Sequence, residues 1–156
     1  MRHPVKNRKL PNPDISYNSV KLSRFINYVM VDGKKAVAQK IVYGAFDILK
    51  EKTGNPNPLE VFDIAIKNAS PLMEVRSRRI GGANYQVPRE VRAERRLSLA
   101  MRWILDAVRS KKGTTADKAL AEELLAAYNN EGSAVTKKEN THKMAESNKA
   151  FAHFAW

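Results

Sequence analysis

Seven arginines fall between positions 76 and 96, a window of 21 residues that contains only two acidic residues, Glu90 and Glu94. Arginine carries a planar fork of donors that bridges phosphate oxygens or stacks on a base, whereas lysine is a point charge. Cations at this density repel one another unless a polyanion neutralises them. The window therefore indicates phosphate binding, with a solvated basic face as the alternative. Its members are Arg76, Arg78, Arg79, Arg89, Arg92, Arg95 and Arg96.

The first element that must position these arginines is a β-hairpin arm at about residues 72–91. On both sides of Gly81-Gly82, apolar and polar residues roughly alternate, as they do in strands with one buried face. Paired glycines supply the positive φ of a two-residue hairpin turn, and Pro88 is expected to close the second strand. The apolar face is predicted to comprise Met73, Val75, Tyr85 and Val87.

The second element is a helix that begins near Arg92. Its apolar residues recur at helical spacing, which predicts a face packed on a core. At about 100° per residue, Arg92, Arg95 and Arg102 fall on the opposite side, with Arg96 at its edge. Trp103 also falls there, either as a buried patch under the hairpin, which we favour, or as a platform for a stacked base. The core-facing stripe is Leu97, Ala100, Met101, Ile104, Leu105 and Val108.

The rest of the chain predicts a mainly α, single-domain scaffold of about six helices that carries the protruding two-stranded arm. Apolar residues at helical spacing define a helix that starts after Asn18 or Ser19 and a second that starts at Lys34 and Lys35. A third helix follows the cap residue Asn57. Lysines at a helix N-terminus are candidate phosphate contacts, because the backbone N–H groups there also favour anions.

The last two helices differ in charge. From Thr114 to Glu131 four acidic residues oppose only Lys118, so this helix is expected to face away from a polyanion. A capping box at Thr136 predicts the start of a final basic helix. The rings at its end are expected to dock on the core, with base stacking as the alternative. The basic residues are Lys137, Lys138, Lys143 and Lys149, and the rings are Phe151, Phe154 and Trp156.

The composition points to an anionic partner, because the 156 residues carry a formal charge of +12 and the pI is about 10.0. No apolar run approaches the ~20 residues that span a bilayer, and the polar start does not resemble a secretory signal, which favours an intracellular protein. Residues 1–19 are predicted to be a tail that stays disordered until it meets a polyanion, and residues 20–156 the helical domain. The basic residues of the tail are Arg2, Lys6, Arg8 and Lys9.

Catalytic and metal chemistry find no support in the sequence. The chain has no cysteine, which excludes disulfides, zinc fingers and thiol chemistry. His3, His142 and His153 lack the spacing of metal ligands, so solvated or nucleic-acid-facing imidazoles are favoured. No serine, threonine or lysine stands in a nucleophile motif. The sequence predicts no enzyme and no cofactor. The alternatives are an architectural DNA-binding protein and, less favoured, an enzyme acting on RNA.

Several motifs, in order along the chain, closely resemble the bacterial-type small-subunit ribosomal protein S-seven family. They are residues 75–88 (VRSRRIGGANYQVP), 30–35 (MVDGKK), 99–103 (LAMRW), 142–146 (HKMAE) and 149–153 (KAFAH). The resemblance runs from about residue 11 to residue 156. It implies a non-enzymatic structural constituent of the cytoplasmic 30S ribosomal subunit.

The resemblance further implies a primary binding protein of the 3′ major domain of 16S rRNA that nucleates assembly of the subunit head. It implies a place beside the mRNA exit path and the E-site tRNA, with proteins S-nine and S-eleven as neighbours. Besides the basic tail, the rRNA contacts are expected to be Lys34, Lys35, Arg76, Arg78, Arg79, Arg92, Arg95, Arg96, Arg102, Lys137 and Lys138. Those near mRNA or E-site tRNA are expected to be Arg78, Arg79, Gly81, Gly82, Asn84, Lys143 and Lys149.

The sequence departs from the family pattern at both ends. Many members begin with a tight run of arginines, whereas the basic residues of this tail are spaced apart, so a looser hold on RNA is expected. Many members end in a Tyr-Arg-Trp triplet, whereas this chain has Phe154, Ala155 and Trp156. The helix arginines are expected to be the preorganised rRNA anchor, and trimming residues 77–84 of the arm is expected to spare assembly.

Overall fold

A computed structural model describes residues 11–154, so the predicted contacts of Arg2, Lys6, Arg8, Lys9 and Trp156 lie outside the described residues. Within that range the chain forms six α-helices, one antiparallel hairpin and a C-terminal 3₁₀ helix, which confirms the mainly α prediction with its arm. In chain order these are α1 (Val20–Val29), α2 (Lys35–Thr53), α3 (Pro58–Ala69), β1 (Met73–Ile80), β2 (Ala83–Glu90), α4 (Ala93–Ser110), α5 (Ala116–Tyr128), α6 (Ser133–Ser147) and the 3₁₀ helix (Lys149–Phe154).

The hydrophobic core lies between the helices, and α5 packs against α2, α3 and α4. Three phenylalanines mark its centre: the ring centroid of Phe62 is 5.2 Å from that of Phe25 and 5.8 Å from that of Phe46. Met101 and Ile104 of the predicted α4 stripe are fully buried in the same core. Because one face of α4 is fixed there, the opposite face and its arginines point outward.

Local signals set the starts of α1 and α3, as predicted. The Ser19 hydroxyl accepts the N–H of Leu22 at 3.3 Å, and the Asn57 side chain accepts the N–H of Leu59 at 3.2 Å. These bonds satisfy N–H groups that have no acceptor within the helix. The bonded atoms are two or three residues apart, which is why sequence alone finds them.

The start of α6 is not where the sequence predicts it. The helix begins at Ser133 rather than at Thr136, because the carboxylate of Glu123 accepts the N–H of Ala134 at 3.1 Å. Glu123, one of the four acidic residues counted between Thr114 and Glu131, belongs to α5 and is only 2% exposed, so it does not face solvent as an acid on the outer side of that helix would. A cap supplied by another helix leaves no local pattern.

Residues 14–19, which the composition assigns to the disordered tail, form a turn that is fastened to α2. The carboxylate of Asp14 is buried, and one of its oxygens accepts the hydroxyl of Tyr43 at 2.8 Å. Its other oxygen accepts the N–H groups of Ser16 and Tyr17, both at 3.2 Å. One buried acid that satisfies three donors thus ties this segment to the domain.

The hairpin is longer than the sequence predicts at its second strand. Gly81 and Gly82 have φ values of 55° and 90°, as a primed two-residue turn requires. Pro88 does not end the strand, which continues to Glu90 while Pro88 pairs with Val75. A proline is tolerated there because a two-stranded sheet consists only of edge strands, in which a missing N–H need not break the ladder.

The prediction that placed the apolar residues of both strands on one face is wrong. A two-residue turn pairs odd-numbered with even-numbered positions, and paired residues share a face. Val87 therefore lies opposite Arg76, and Tyr85 lies opposite Arg78. Two of the arm's arginines thus share a face with its tyrosine. The other face of β1 carries Met73, Val75, Ser77 and Arg79.

Candidate nucleic-acid interface

Arginines of the arm and of α4 line two adjoining clefts at the base of the hairpin, with volumes of about 460 and 250 Å³. Arg92 and Arg95 line both clefts, which therefore form one continuous basic surface, called here the arginine groove. Three acidic side chains, Glu74, Glu90 and Glu94, also line it. Its arginines are Arg76, Arg89, Arg92, Arg95 and Arg102.

Glu74 pairs with the two arginines nearest to it. Both of its carboxylate oxygens accept from Nε of Arg95, at 2.9 and 2.8 Å. Nε of Arg76 lies 3.7 Å from the same carboxylate. The Glu74 side chain is only 13% exposed, whereas those of Arg95 and Arg76 are 47% and 59% exposed. The carboxylate is thus inside and the two guanidinium groups face outward.

Two of the predicted contact arginines also hold the arm in place. Nε of Arg96 donates to the backbone oxygen of Val91 at 2.7 Å, where the chain passes from β2 to α4. Nη1 of Arg78 donates to the backbone oxygen of Phe154 in the 3₁₀ helix. Both side chains are half-buried. Their charge still contributes to the basic surface, but their geometry is set by the fold.

The lysines at the start of the last helix are also engaged within the chain. Nζ of Lys137 lies 3.1 Å from the carboxylate of Asp106 and 5.9 Å from the ring of Trp103. Nζ of Lys138 donates to the backbone oxygen of Asn68 at 2.7 Å, where α3 ends. Trp103 is buried, as favoured, but it lies where α6 crosses α4 and not under the hairpin.

Other predicted contacts have no ion-pair partner among residues 11–154. Arg79, Arg92, Lys34 and Lys35 are exposed and form no ion pair with a carboxylate of the described chain. The guanidinium carbon of Arg102 lies 5.9 Å from the ring centroid of Tyr28, on α1. Lys34 and Lys35 follow α1 along the chain, at the start of α2.

The residues predicted to lie near mRNA or tRNA occupy two separate places. Gly81, Gly82 and Asn84 are exposed at the tip of the arm. Lys143 and Lys149 are exposed on α6 and the 3₁₀ helix. Lys149 lies beside an apolar groove of about 380 Å³ between the arm and α6, lined also by Leu72, Met73, Pro88, His142, Ala145 and Ala152.

The terminal rings within residues 11–154 dock, as favoured over stacking on bases, but on the arm and not on the helical core. The ring centroids of Phe151 and Phe154 lie 5.3 and 5.4 Å from that of Tyr85. His153 is exposed beside Phe154. This cluster and the bond from Arg78 join the arm to the chain's end, so the hairpin is not an isolated two-stranded ribbon.

The acidic residues of α5 lie at the far end of α4 from the arginine groove. Nζ of Lys111, just beyond α4, lies 3.2 Å from the Glu122 carboxylate and 3.9 Å from that of Glu123. Arg92, at the other end, is 19 residues away, which is about 28 Å along a helix axis. Glu122 and Glu123 therefore lie at the C-terminal end of α4, whereas the arginine groove lies at its N-terminal end.

Sequence reasoning missed two members of the arginine groove, Arg89 and Glu74, and misjudged the surroundings of one histidine. Arg89 was counted in the basic window but not chosen as a contact, because only the register turns it toward Arg92 and Arg95. Glu74 was missed because its partner, Arg95, lies 21 positions away. The prediction that His142 is a solvated or nucleic-acid-facing imidazole is wrong, because this half-buried ring accepts the N–H of Leu72, 70 positions away. The one signal for Glu74 in the sequence was an acidic residue in a strand whose other charged residues are arginines.

Fold and groove together define a small helical protein that presents arginines to a polyanion from one helix and a projecting arm. In the described part of the chain, no group of three or more histidine and acidic side chains could hold a metal ion. No helix in residues 11–154 has the length and apolarity needed to cross a bilayer.

The chain belongs to the ribosomal protein S7p/S5e family, whose family model matches residues 1–149. It is 57% identical over 155 residues to the small ribosomal subunit protein uS7 of Thermotoga maritima, covering 99% of each chain. It is 58% identical over 153 residues to uS7 of Caldanaerobacter subterraneus subsp. tengcongensis, covering 98% of this chain and 97% of that protein. It is 56% identical to uS7 of Fervidobacterium nodosum over the full length of both.

Family membership confirms the resemblance inferred from the motifs. Proteins of this family are structural, non-enzymatic constituents of the small ribosomal subunit. The predictions of a ribosomal, RNA-binding protein without catalytic activity, located in the cytoplasmic 30S subunit with rRNA and ribosomal proteins as partners, are therefore correct.

Proposed function

We propose that this chain is a primary rRNA-binding protein that binds the 3′ major domain of 16S rRNA and nucleates assembly of the subunit head. The observation that carries the proposal is the arginine groove, in which a helix fixed to the core presents Arg92, Arg95 and Arg102 together. Guanidinium groups held on a rigid element lose less conformational freedom when they bind phosphate. The helix face is the anchor of the interface.

The neighbouring cations extend this anchor. Lys34 and Lys35 lie beyond the Tyr28–Arg102 contact, and Arg76 and Arg89 line the groove from the arm. A junction of several RNA helices presents phosphates from more than one direction, and a groove with cations on two elements suits such a target. The contribution of the basic residues in 1–10 adds to this hold.

The arm serves the second part of the proposal, which is proximity to the mRNA exit path and the E-site tRNA. Its tip, with Arg79, Gly81, Gly82 and Asn84, is exposed and projects from the domain. Lys143 and Lys149 offer cations on the other side of the arm. Two glycines without side chains allow a close approach of backbone to RNA.

The protein neighbours in this proposal are S-nine and S-eleven. The apolar groove between the arm and α6, with Leu72 55% exposed at its edge, is the surface available for S-eleven. Apolar surface of this kind is buried favourably against a partner. The domain division that accompanies this function is a basic tail, residues 1–19, and the RNA-binding domain, residues 20–156, with the last residues of the tail, 14–19, fastened to α2 through Asp14.

The test is the affinity of the protein for a 3′-domain rRNA fragment as a function of salt. The double variant Arg92→Ala/Arg102→Ala should bind more weakly, and the slope of log K against log salt should flatten by about 1–2, because each phosphate contact releases counterion. The control is Lys67→Ala/Lys118→Ala, which removes the same charge from exposed sites on α3 and α5 outside the groove.

Equal slopes for the two double variants would show that the groove is not the anchor. Duplex DNA competes in the same assay at one salt concentration. The proposal expects the rRNA fragment to bind at least about tenfold more tightly than DNA, a difference of about 1.4 kcal/mol. Equal affinity for both would favour a general architectural binder of nucleic acid.

A further inference from the structure

Glu74 is the one carboxylate among the three in the arginine groove that pairs with arginine within residues 11–154. Glu90 and Glu94 line the same surface, are exposed, and lie near no cation at ion-pair distance in the described chain. Glu74 differs from them in burial, since its side chain is only 13% exposed. Its position on β1 and that of Arg95 on α4 make it a link between arm and helix.

The pairing uses only one atom of each guanidinium group. Glu74 accepts from Nε of Arg95 at 2.8 and 2.9 Å and lies 3.7 Å from Nε of Arg76. The Nη groups of both arginines have no acceptor among the described residues. Two Nη groups form one side of the planar fork that matches two phosphate oxygens. Arg95 is thus hydrogen-bonded through its inner edge and Arg76 lies at ion-pair distance from the same carboxylate, each with its outer edge available.

The strand that carries Glu74 is itself fixed at this point. The backbone N–H of Leu72 donates to Nε2 of His142 at 2.9 Å, and its backbone oxygen accepts the N–H of Val91 at 2.9 Å. Glu74 follows two residues later, in register with Arg89. The carboxylate therefore lies on a strand end that is fixed both to α6 and to the segment leading into α4.

We propose that Glu74 is a positioning residue for RNA, holding Arg95 and Arg76 so that their outward Nη groups bind neighbouring phosphates of one strand. This rests on the proposed function, in which the arginine groove binds rRNA. An acid in an RNA-binding groove repels phosphate if it acts by charge alone. Glu74 instead favours RNA binding, because a guanidinium that is already held in its binding geometry loses less rotamer freedom on association.

When a glutamate of the groove is replaced by glutamine, loss of charge repulsion should raise the affinity for RNA, whereas loss of positioning should lower it. The two explanations are therefore distinguishable. Glu74→Gln, Glu90→Gln and Glu94→Gln each remove one negative charge from the groove and keep the side chain's size. The Glu90 and Glu94 variants should bind the 3′-domain rRNA fragment more tightly, by about twofold or more, as repulsion is removed. The Glu74 variant should bind about 2- to 10-fold more weakly, because the amide keeps one acceptor oxygen but loses the second acceptor and the charge that order the two guanidinium groups.

A second substitution tests the fork itself. Arg95→Lys keeps the charge, but its single Nζ cannot pair with Glu74 and bridge two phosphate oxygens as the separate Nε and Nη groups of arginine do. Arg95→Lys should weaken binding by about as much as Glu74→Gln does. The double variant Glu74→Gln/Arg95→Lys should bind with about the affinity of the weaker-binding single variant, because both substitutions remove the same arrangement. Thermal unfolding of each variant, measured without RNA, identifies any that does not fold.

The possible outcomes separate this inference from the proposed function. Tighter binding by all three glutamine variants overturns the positioning role of Glu74 while leaving the groove as the RNA site. Additive effects of Glu74→Gln and Arg95→Lys also overturn it. If these variants and Arg92→Ala/Arg102→Ala all bind as the unchanged protein does, the groove is not the interface, and the proposed function and this inference fail together.

Discussion

The backbone N–H of Leu72 donates to Nε2 of His142 at 2.9 Å, joining the base of the arm to the middle of α6 across 70 positions of sequence. The same residue's backbone oxygen accepts the N–H of Val91 at 2.9 Å. The arm is thus held at its base from both sides, by α6 and by the segment that leads into α4. A neutral imidazole is required, because Nε2 must carry a lone pair to accept.

This bond predicts that the protein loses stability in mild acid. Burial, together with the nearby Lys138 ammonium, lowers the pKa of the His142 imidazole below its ordinary value. In the unfolded chain the pKa is about 6.5, so between the two values the unfolded state binds more protons. The contribution of His142 to the free energy of unfolding is therefore complete above about pH 6.5 and is lost as pH falls through the folded pKa.

Urea unfolding between pH 8 and pH 5 measures this effect. His142→Gln cannot be protonated, so its curve should be flatter than that of the unchanged protein, whereas the exposed His153→Gln should retain the full pH dependence. At pH 8, His142→Ala should cost about 0.5–1.5 kcal/mol, the usual net value of one hydrogen bond. Parallel curves for the protein and for His142→Gln would show that this imidazole is not the titrating group.

The buried cap of α6 predicts a large difference between two adjacent acids. Glu123→Ala should lower the free energy of unfolding by about 1–3 kcal/mol, because the N–H of Ala134 is left without its acceptor in a buried site. Glu122→Ala removes only an exposed ion pair with Lys111, at 3.2 Å, and should cost about 1 kcal/mol or less. Denaturant unfolding of both variants checks the difference; similar values would contradict the cap.

The contact between Tyr85 and the 3₁₀ helix predicts local loosening of the arm when the ring is removed. Tyr85→Ala removes two ring contacts, at 5.3 and 5.4 Å, each worth about 0.5–1.5 kcal/mol beyond the buried area. Hydrogen exchange in 76–87 and 149–154 should therefore speed up by about tenfold or more, while the helical core keeps its protection. Gln86→Ala, on the other face of the arm, should change exchange much less.

Shortening the arm tests the division between anchor and arm. Removing the paired residues Ser77-Arg78 and Tyr85-Gln86 deletes two register pairs but keeps the glycine turn and the alternation of faces. On the proposed function, affinity for the 3′-domain rRNA fragment should fall by less than about tenfold, or 1.4 kcal/mol. Chemical protection of E-site tRNA in reconstituted subunits should decrease. Failure of head assembly with this variant would show that the arm is part of the anchor.

Features that act over a few residues were predictable from local patterns in the sequence. The α1 and α3 caps, the apolar stripe of α4, the glycine turn and the outward placement of Arg92, Arg95 and Arg102 follow from periodicities of about two and 3.6 residues and from short hydrogen bonds. The excess of arginine was enough to indicate an anionic partner, and the ordered motifs were enough to identify the family.

Which of these groups meet became evident only in the folded chain. The hydrogen bond from Leu72 to His142, the cap that Glu123 provides to α6, and the pairing of Glu74 with Arg95 join elements that are distant in the chain. Such contacts depend on how helices and strands dock, which no local spacing encodes. The sequence therefore supplied the charges of the groove, while packing decided which arginines are held by the fold and which face outward.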